Sequence, residues 1–163
     1  MIRKSKESDI GNVQELMCLC FGDHNGVEPY ENITDRYYLY FDDDNLVAMS
    51  GLTSNSEYGH LEIDWTCTHP EYRHKGYMQA LFKEMLNDVH EDVYCSCWRI
   101  SSKNRANLYT IMSLFDFEEV IPGRVHWKVP HNCFCNHEGE CVYYTGIECE
   151  CYEDLFLRKG NMM

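Results

Sequence analysis

The chain has 163 residues, 44% of them hydrophobic, and carries 14 Lys+Arg against 27 Asp+Glu, a net charge of −13. That is one domain's length, enough to bury a core without covalent staples, and too apolar for a disordered segment. The acidic balance repels phosphate backbones and favours cationic partners such as amines or basic peptides, which argues against a nucleic-acid binder.

The opening residues 1–9 are charged and lack the apolar stretch of a secretory signal, and no run approaches the roughly 20 apolar residues that span a bilayer. The chain is therefore predicted to be cytoplasmic and off the membrane, where thiols stay reduced. Ten cysteines in that setting need an explanation. Ile10, Val13, Leu16, Met17 and Cys20 recur at helical spacing, which predicts a helix over Ile10–Phe21 capped by Ser8 or Asp9. Residues 22–33 read as a loop broken by Gly22, Gly26 and Pro29. Residues 36–41 and 46–52 are β-prone and form a hairpin through an acidic turn at Asp42, Asp43, Asp44 and Asn45, whose charges are expected to be merely solvated. His60–Thr68 alternates strictly: Leu61, Ile63, Trp65 and Cys67 on one face, Glu62, Asp64, Thr66 and Thr68 on the other. A helix is predicted over 77–89, with Met78, Leu81, Phe82, Met85, Leu86 and Val89 inward. A strand over Val93–Ile100, a helix over 104–114 and a strand or hairpin over 117–129, interrupted at Pro122 and Gly123, come next. A cysteine-rich stretch, 130–152, precedes a last strand over 154–159. No repeat or linker is visible, so residues 1–163 are expected to form a single domain with a hairpin or insert at about 130–152. The order β α β β β α β α β β is that of a mixed α/β sandwich.

The most informative segment runs from Thr68 to Met78. A strand ends, a basic turn of Arg73, His74 and Lys75 follows, and a helix opens at Tyr77 behind Gly76. Free N–H groups at a helix N-terminus bind anions, and glycine lets a ligand come close to the backbone. A cationic turn in an otherwise acidic chain suits a diphosphate, or else is an ordinary basic turn.

This segment resembles the acyl-CoA-binding motif of the GNAT superfamily of N-acetyltransferases, Arg/Gln-x-x-Gly-x-Gly/Ala. Arg73 and Gly76 match it, and Met78 stands where the family prefers a small residue. Residues 2–10 resemble the family's opening strand and the start of its first helix. Residues 100–108 resemble its late strand-to-helix segment, and 114–118 its Leu-Gly-Phe-Glu ending, with Asp116 in place of glycine. The likeness extends to about Val129 and implies a mixed, mostly antiparallel sheet.

The resemblance implies acetyl-CoA as co-substrate. Its pantetheine would pair with the backbone of Trp65, Thr66, Cys67 and Thr68. Its diphosphate would sit on Arg73, His74, Lys75, Gly76, Tyr77 and Met78, with Asn104 near the pantetheine. Glu62, eleven residues before Arg73, matches the general-base glutamate of the histone-acetyltransferase branch, with Asp64 as its understudy. An amine of pKa roughly 10 must lose a proton before it attacks a thioester, which is the work of such a base. Tyr109 is the tyrosine of the late helix and the candidate proton donor to the leaving thiolate. Counting from neighbouring motifs puts the family's tyrosine position at Ile111 or Met112, so Tyr109 is either that donor or a packed aromatic. His69 and His74 are either phosphate or proton partners or exposed loop residues.

Cys18, Cys20, Cys67, Cys95 and Cys97 fall on predicted elements and read as core residues. His131, Cys133, Cys135, His137, Cys141, Cys149 and Cys151 crowd the tail. Two Cys-x-Cys pairs could bring four sulfurs round a zinc ion, but the Cys-x-x-Cys knuckle spacing is absent, and no metal ligand is assigned. The expected activity is transfer of an acetyl group to a primary amine, on a small molecule or a peptide, by a monomer or homodimer. The alternative is a non-catalytic acyl-CoA-binding or metal- or redox-sensing module on the same fold.

Overall fold

In a computed structural model of the chain, residues 1–21, 33–55, 60–100, 108–124 and 151–160 are described. They divide into two units, Met1–Val93 with Lys159–Met163, and Tyr94–Arg158.

In the first unit, strands β1 (Ile2–Lys4), β2 (Tyr37–Asp42), β3 (Asn45–Asn55) and β4 (His60–Thr68) lie side by side in chain order, each antiparallel to the next. The aromatic run of β2 alternates as a strand must: Tyr37, Leu39 and Phe41 are buried, and Tyr38 and Tyr40 half-buried. The buried set joins Met49 and Cys67 in a cluster with Val13, Leu16 and Met17 of helix α1 (Ile10–Phe21). On the opposite face lies helix α2 (Tyr77–Met85), whose Leu81, Phe82 and Met85 are buried. Each of these side chains stabilises the fold by roughly 1.5–3 kcal/mol relative to exposure.

Three local expectations are revised. Neither Ser8 nor Asp9 caps α1 directly; a turn of 3-10 helix, Glu7–Asp9, runs into it. Asp9 instead reaches back to the Lys6 N–H (2.8 Å) and takes a two-pronged bond from Arg3 (2.6 and 2.7 Å). Helix α2 stops at Met85 rather than at 89: beyond it the Asn87 and Val89 N–H groups donate to the Glu84 and Leu86 carbonyls three residues back, at 3.4 Å each, and the chain goes on in turns. The second hairpin strand, β3, runs three residues past Leu52, paired with β4 as far as Asn55 and His60.

The second unit has β5 (Val93–Ile100), helix α3 (Tyr109–Leu114), β6 (Glu118–Arg124) and β7 (Cys151–Arg158), with its strands in the order β5-β7-β6 and β6 antiparallel to β7. Met112, Phe117 and Phe156 are buried. Cys95 and Cys97 are buried too, as expected, with sulfurs 3.7 Å apart. Pro122 and Gly123 do not interrupt β6. The pairing slips between Ile121 and Arg124, so the strand absorbs them as a bulge, where a missing N–H costs no ladder bond. The last strand begins at Cys151, earlier than 154. The start of the late helix at 104–107 and the cysteine-rich stretch up to 150 lie outside the described residues. The class is the one the sequence predicts: α/β, with mostly antiparallel pairing and flanking helices.

Candidate active site

A bulge kinks β4. Met49 pairs with Cys67 and Gly51 with Asp64, so Ser50 alone stands opposite Trp65 and Thr66. Trp65 takes φ 46° to make the kink, a conformation bulky residues seldom adopt. Its indole rests edge-on against Phe21 at 5.6 Å, and Thr66 Oγ1 lies 2.7 Å from Ser50 Oγ. The bulge overturns the strict alternation read from the sequence. Glu62 and Asp64, paired with Thr53 and Gly51, lie on the face of Met49 and therefore of Cys67. Ile63, paired with Leu52, lies on the opposite face. One inserted residue shifts the phase of the strand before it, and period-two counting does not register that.

The two candidate bases sit in different environments. Asp64 Oδ2 accepts bonds from Arg36 Nη2 (2.9 Å) and Thr53 Oγ1 (3.2 Å). Its Oδ1 is buried with no partner among the described residues, packed over Gly51, where a Cβ would lie only 1.8 Å away. Burial pushes the Asp64 carboxyl above its ordinary value, against the pull of Arg36 and Thr53. Glu62 keeps 48% of its side chain exposed, and its Oε1 lies 2.8 Å from His60 Nε2. A base must reach a proton on another molecule. Glu62 has that access, whereas Asp64 is locked into the sheet.

Beyond β4 the chain makes a turn of 3-10 helix, Pro70–Tyr72, in which the His69 ring accepts the Glu71 N–H (3.3 Å). Arg73 Nε donates back to the Thr68 carbonyl at 3.2 Å. His74 (φ 64°) and Gly76 (φ 83°) are left-handed, which glycine adopts freely and histidine at a cost of roughly 1–2 kcal/mol. Gly76 opens α2, and no side chain caps it. The helix's first bond runs from the Ala80 N–H to the Gly76 carbonyl (3.0 Å), which leaves the N–H groups of Tyr77, Met78 and Gln79 outside the helical ladder. Tyr77 donates its hydroxyl to Asp42 Oδ2 (2.7 Å) and sets its ring 4.8 Å from that of Tyr40. The bond to Asp42 is the main reason its pKa is pushed up to about 12. Lys75 Nζ lies 4.7 Å over the Tyr72 ring. Arg73, His74 and Lys75 are exposed, Met78 half-buried. An uncapped helix start beside three exposed basic side chains offers the N–H groups and the charge that an anion would need.

Glu62, Trp65, Thr66, Cys67, Thr68, Arg73, His74, Lys75, Gly76, Tyr77 and Met78 thus share one strand–turn–helix segment of the first unit. Tyr109 belongs to the second unit, half-buried, its ring edge-on to Phe156 at 6.0 Å. Asn104 lies outside the described residues. Sequence reading missed His60, although its place two residues before Glu62 on one strand was a signal. It also missed Asp42, which is not merely solvated at the hairpin tip but anchors Tyr77. Among the described residues no cluster of three or more His, Cys, Asp or Glu is arranged for a metal. The zinc reading rests on Cys133, Cys135, Cys141 and Cys149, which lie outside the described residues, and on Cys151, of which only the backbone is described. No helix among the described residues is long and apolar enough to cross a membrane.

Compared with known proteins, residues 1–109 match the family described as acetyltransferase (GNAT) domain. No curated protein matches the sequence. Among solved structures, the ribosomal-protein-S18-alanine N-acetyltransferase from Escherichia coli is similar with a TM-score of 0.66 at 12% identity, over 100% of this chain and 95% of that one. Escherichia coli ElaA gives 0.64 at 16% identity, over 98% and 100%. An aminoglycoside 6'-N-acetyltransferase complexed with coenzyme A gives 0.69 at 9% identity, over 97% and 96%. At these identities the likeness is one of fold.

Proposed function

The chain belongs to the GNAT family of acetyltransferases, and from that premise we propose that it moves the acetyl group of acetyl-CoA to a primary amine on a cationic acceptor. The observation that carries this reading is the segment from the kinked strand to the uncapped helix: strand backbone for an amide-bearing arm, then N–H groups for a diphosphate. Trp65, Thr66, Cys67 and Thr68 line the pantetheine arm with backbone, and Asn104 lies beside it. The N–H groups from Arg73 to Met78 take the diphosphate, with the Arg73, His74 and Lys75 side chains balancing its charge. We read the whole chain as one such domain, working in the cytoplasm.

Glu62 acts as general base. It takes a proton from the acceptor ammonium, directly or through one water, and His60 at 2.8 Å holds the carboxylate in place. The neutral amine then attacks the acetyl carbonyl; the C–N bond forms, the C–S bond breaks, and Tyr109 gives the departing sulfur its proton. The net charge of −13 supports a cationic acceptor, such as a polyamine, an aminoglycoside-like compound or a peptide amine, by steering it to the surface.

The test is release of coenzyme A thiol from acetyl-CoA across a panel of amines. Wild type is expected to turn over with cationic acceptors, and Glu62→Gln to lower kcat/KM by about 10²–10⁴ with acetyl-CoA binding intact. Acetyl-CoA binding without turnover on any amine would overturn the enzyme reading in favour of a binding module. Turnover confined to neutral or anionic acceptors would overturn the charge argument.

A further inference from the structure

At the end of β4 three side chains meet, two thiols that the proposed transfer does not use and a guanidinium that it uses only for charge. Cys20, in the last turn of α1, directs its Sγ–H at the Thr68 carbonyl from 3.5 Å. It packs against the core cluster that contains Cys67, whose neighbour Thr68 it touches, so the two thiols perturb each other's protonation. Arg73 Nε donates to the same Thr68 carbonyl at 3.2 Å, which brings its guanidinium to the thiols. Cys67 is 7% exposed and Cys20 half-buried, so an oxidant from solvent meets Cys20 first.

We propose that Cys20 is a site of oxidative modification by peroxides, with Cys67 as the thiol that resolves it into a disulfide and Arg73 as the cation that activates it. The thiolate is the reactive form of cysteine. At a helix C-terminus the peptide dipoles disfavour it, so other groups must supply the charge. They do: the neighbouring Cys67 thiol first, then the Arg73 guanidinium, pull the Cys20 thiol down to about 7 against its burial. Cys67, buried beside Cys20, is pushed well up. The pair is therefore asymmetric, with one attacking sulfur and one resolving sulfur. At pH 7.4 a thiol of pKa about 7 is thiolate roughly tenfold more often than an unperturbed cysteine.

The chemistry balances with hydrogen peroxide as oxidant. The Cys20 thiolate attacks one peroxide oxygen; an S–O bond forms, the O–O bond breaks, and the hydroxide that leaves takes up a proton as water. The Cys67 sulfur then attacks the sulfenic sulfur; the S–S bond forms, the S–O bond breaks, and a second water leaves with the Cys67 proton. Two thiols lose two electrons and one peroxide gains them. The new bond ties the last turn of α1 to β4 beside Thr68.

The experiment is a peroxide titration of the full-length protein at pH 7.4, followed by alkylation of the remaining thiols and peptide mass mapping without reduction. The expected result is a Cys20–Cys67 cross-link that forms first among the ten cysteines, roughly tenfold faster than an unperturbed thiol reacts, and that dithiothreitol reverses. The rate should rise with pH about a midpoint near 7. In Cys67→Ala, Cys20 should stop at the sulfenic acid, trapped by dimedone; if that variant does not fold, early dimedone trapping on wild type makes the same measurement. In Cys20→Ser, Cys67 should stay reduced at the dose that cross-links wild type. A Cys20 that oxidises no faster than the other cysteines, or that pairs elsewhere, overturns the proposal. The cross-link is read by mass in the absence of acetyl-CoA, so it stands or falls independently of the transferase reading.

Discussion

Gly51→Ala probes how the candidate site is built. The added Cβ would stand 1.8 Å from Asp64 Oδ1 and 3.0 Å from its Cγ. To reach ordinary contact near 3.4 Å the carboxylate must retreat by about 1.6 Å. Its bonds to Arg36 (2.9 Å) and Thr53 (3.2 Å) do not survive that shift. Hydrogen bonds to a charged group contribute about 1.5–3 kcal/mol each, and less where the pair is partly wet. Asp64 and Arg36 keep 29% and 23% of their side chains exposed, and the freed carboxylate regains water, so a net loss of about 2 kcal/mol is expected. With a urea slope of about 2 kcal/mol/M, the midpoint should fall by about 1 M. In an Asp64→Ala background only the backbone carbonyl of residue 64 stays close, at 3.3 Å, and Gly51→Ala should cost less than about 0.5 kcal/mol. The double-mutant cycle should therefore return a coupling of about 1.5 kcal/mol or more. Equal costs in both backgrounds would refute the claim that Gly51 is there to seat the Asp64 carboxylate.

Three further outcomes are expected. The bond to Arg3, above all, lowers the Asp9 pKa in the folded state, so its contribution is complete above the unfolded value near 4 and is lost as pH falls through the folded one; Asp9→Asn should lose about 1–2 kcal/mol at pH 7 by urea denaturation and show a flatter acid limb than wild type. Tyr77→Phe keeps the ring against Tyr40 but drops the bond to Asp42, so it should raise the KM for acetyl-CoA by about two- to fivefold with kcat unchanged; an unchanged KM would mean that the hairpin tip does not steady the helix start. Tyr109→Phe keeps the ring against Phe156 and should lower kcat by about tenfold or more; an unaltered kcat would assign Tyr109 to packing.

Much of the fold was legible because its signals are local. The apolar spacing of α1, the aromatic run of β2 and the limits of β4 and β5 each depend on residues within a few positions of one another; α1, β4 and β5 appear where the sequence puts them, and β2 one residue later. The turn from Arg73 to Met78 was legible for the same reason, since Gly76 and the helix it opens are neighbours. Alternation misread β4, because the bulge at Trp65 depends on pairing with Ser50 across the sheet rather than on β4's own spacing.

By itself, then, the sequence determined the order of elements, the acidic surface and the identity of the cationic turn. The tertiary structure decided which of two similar carboxylates is exposed and which is locked, because Gly51, Thr53 and Arg36 reach Asp64 from other strands and turns. It also decided that Asp42 anchors Tyr77 from 35 residues away, and that Cys20 meets Cys67 and Arg73. Burial, proton affinity and long-range hydrogen bonds depend on neighbours in space, and chain spacing does not encode them.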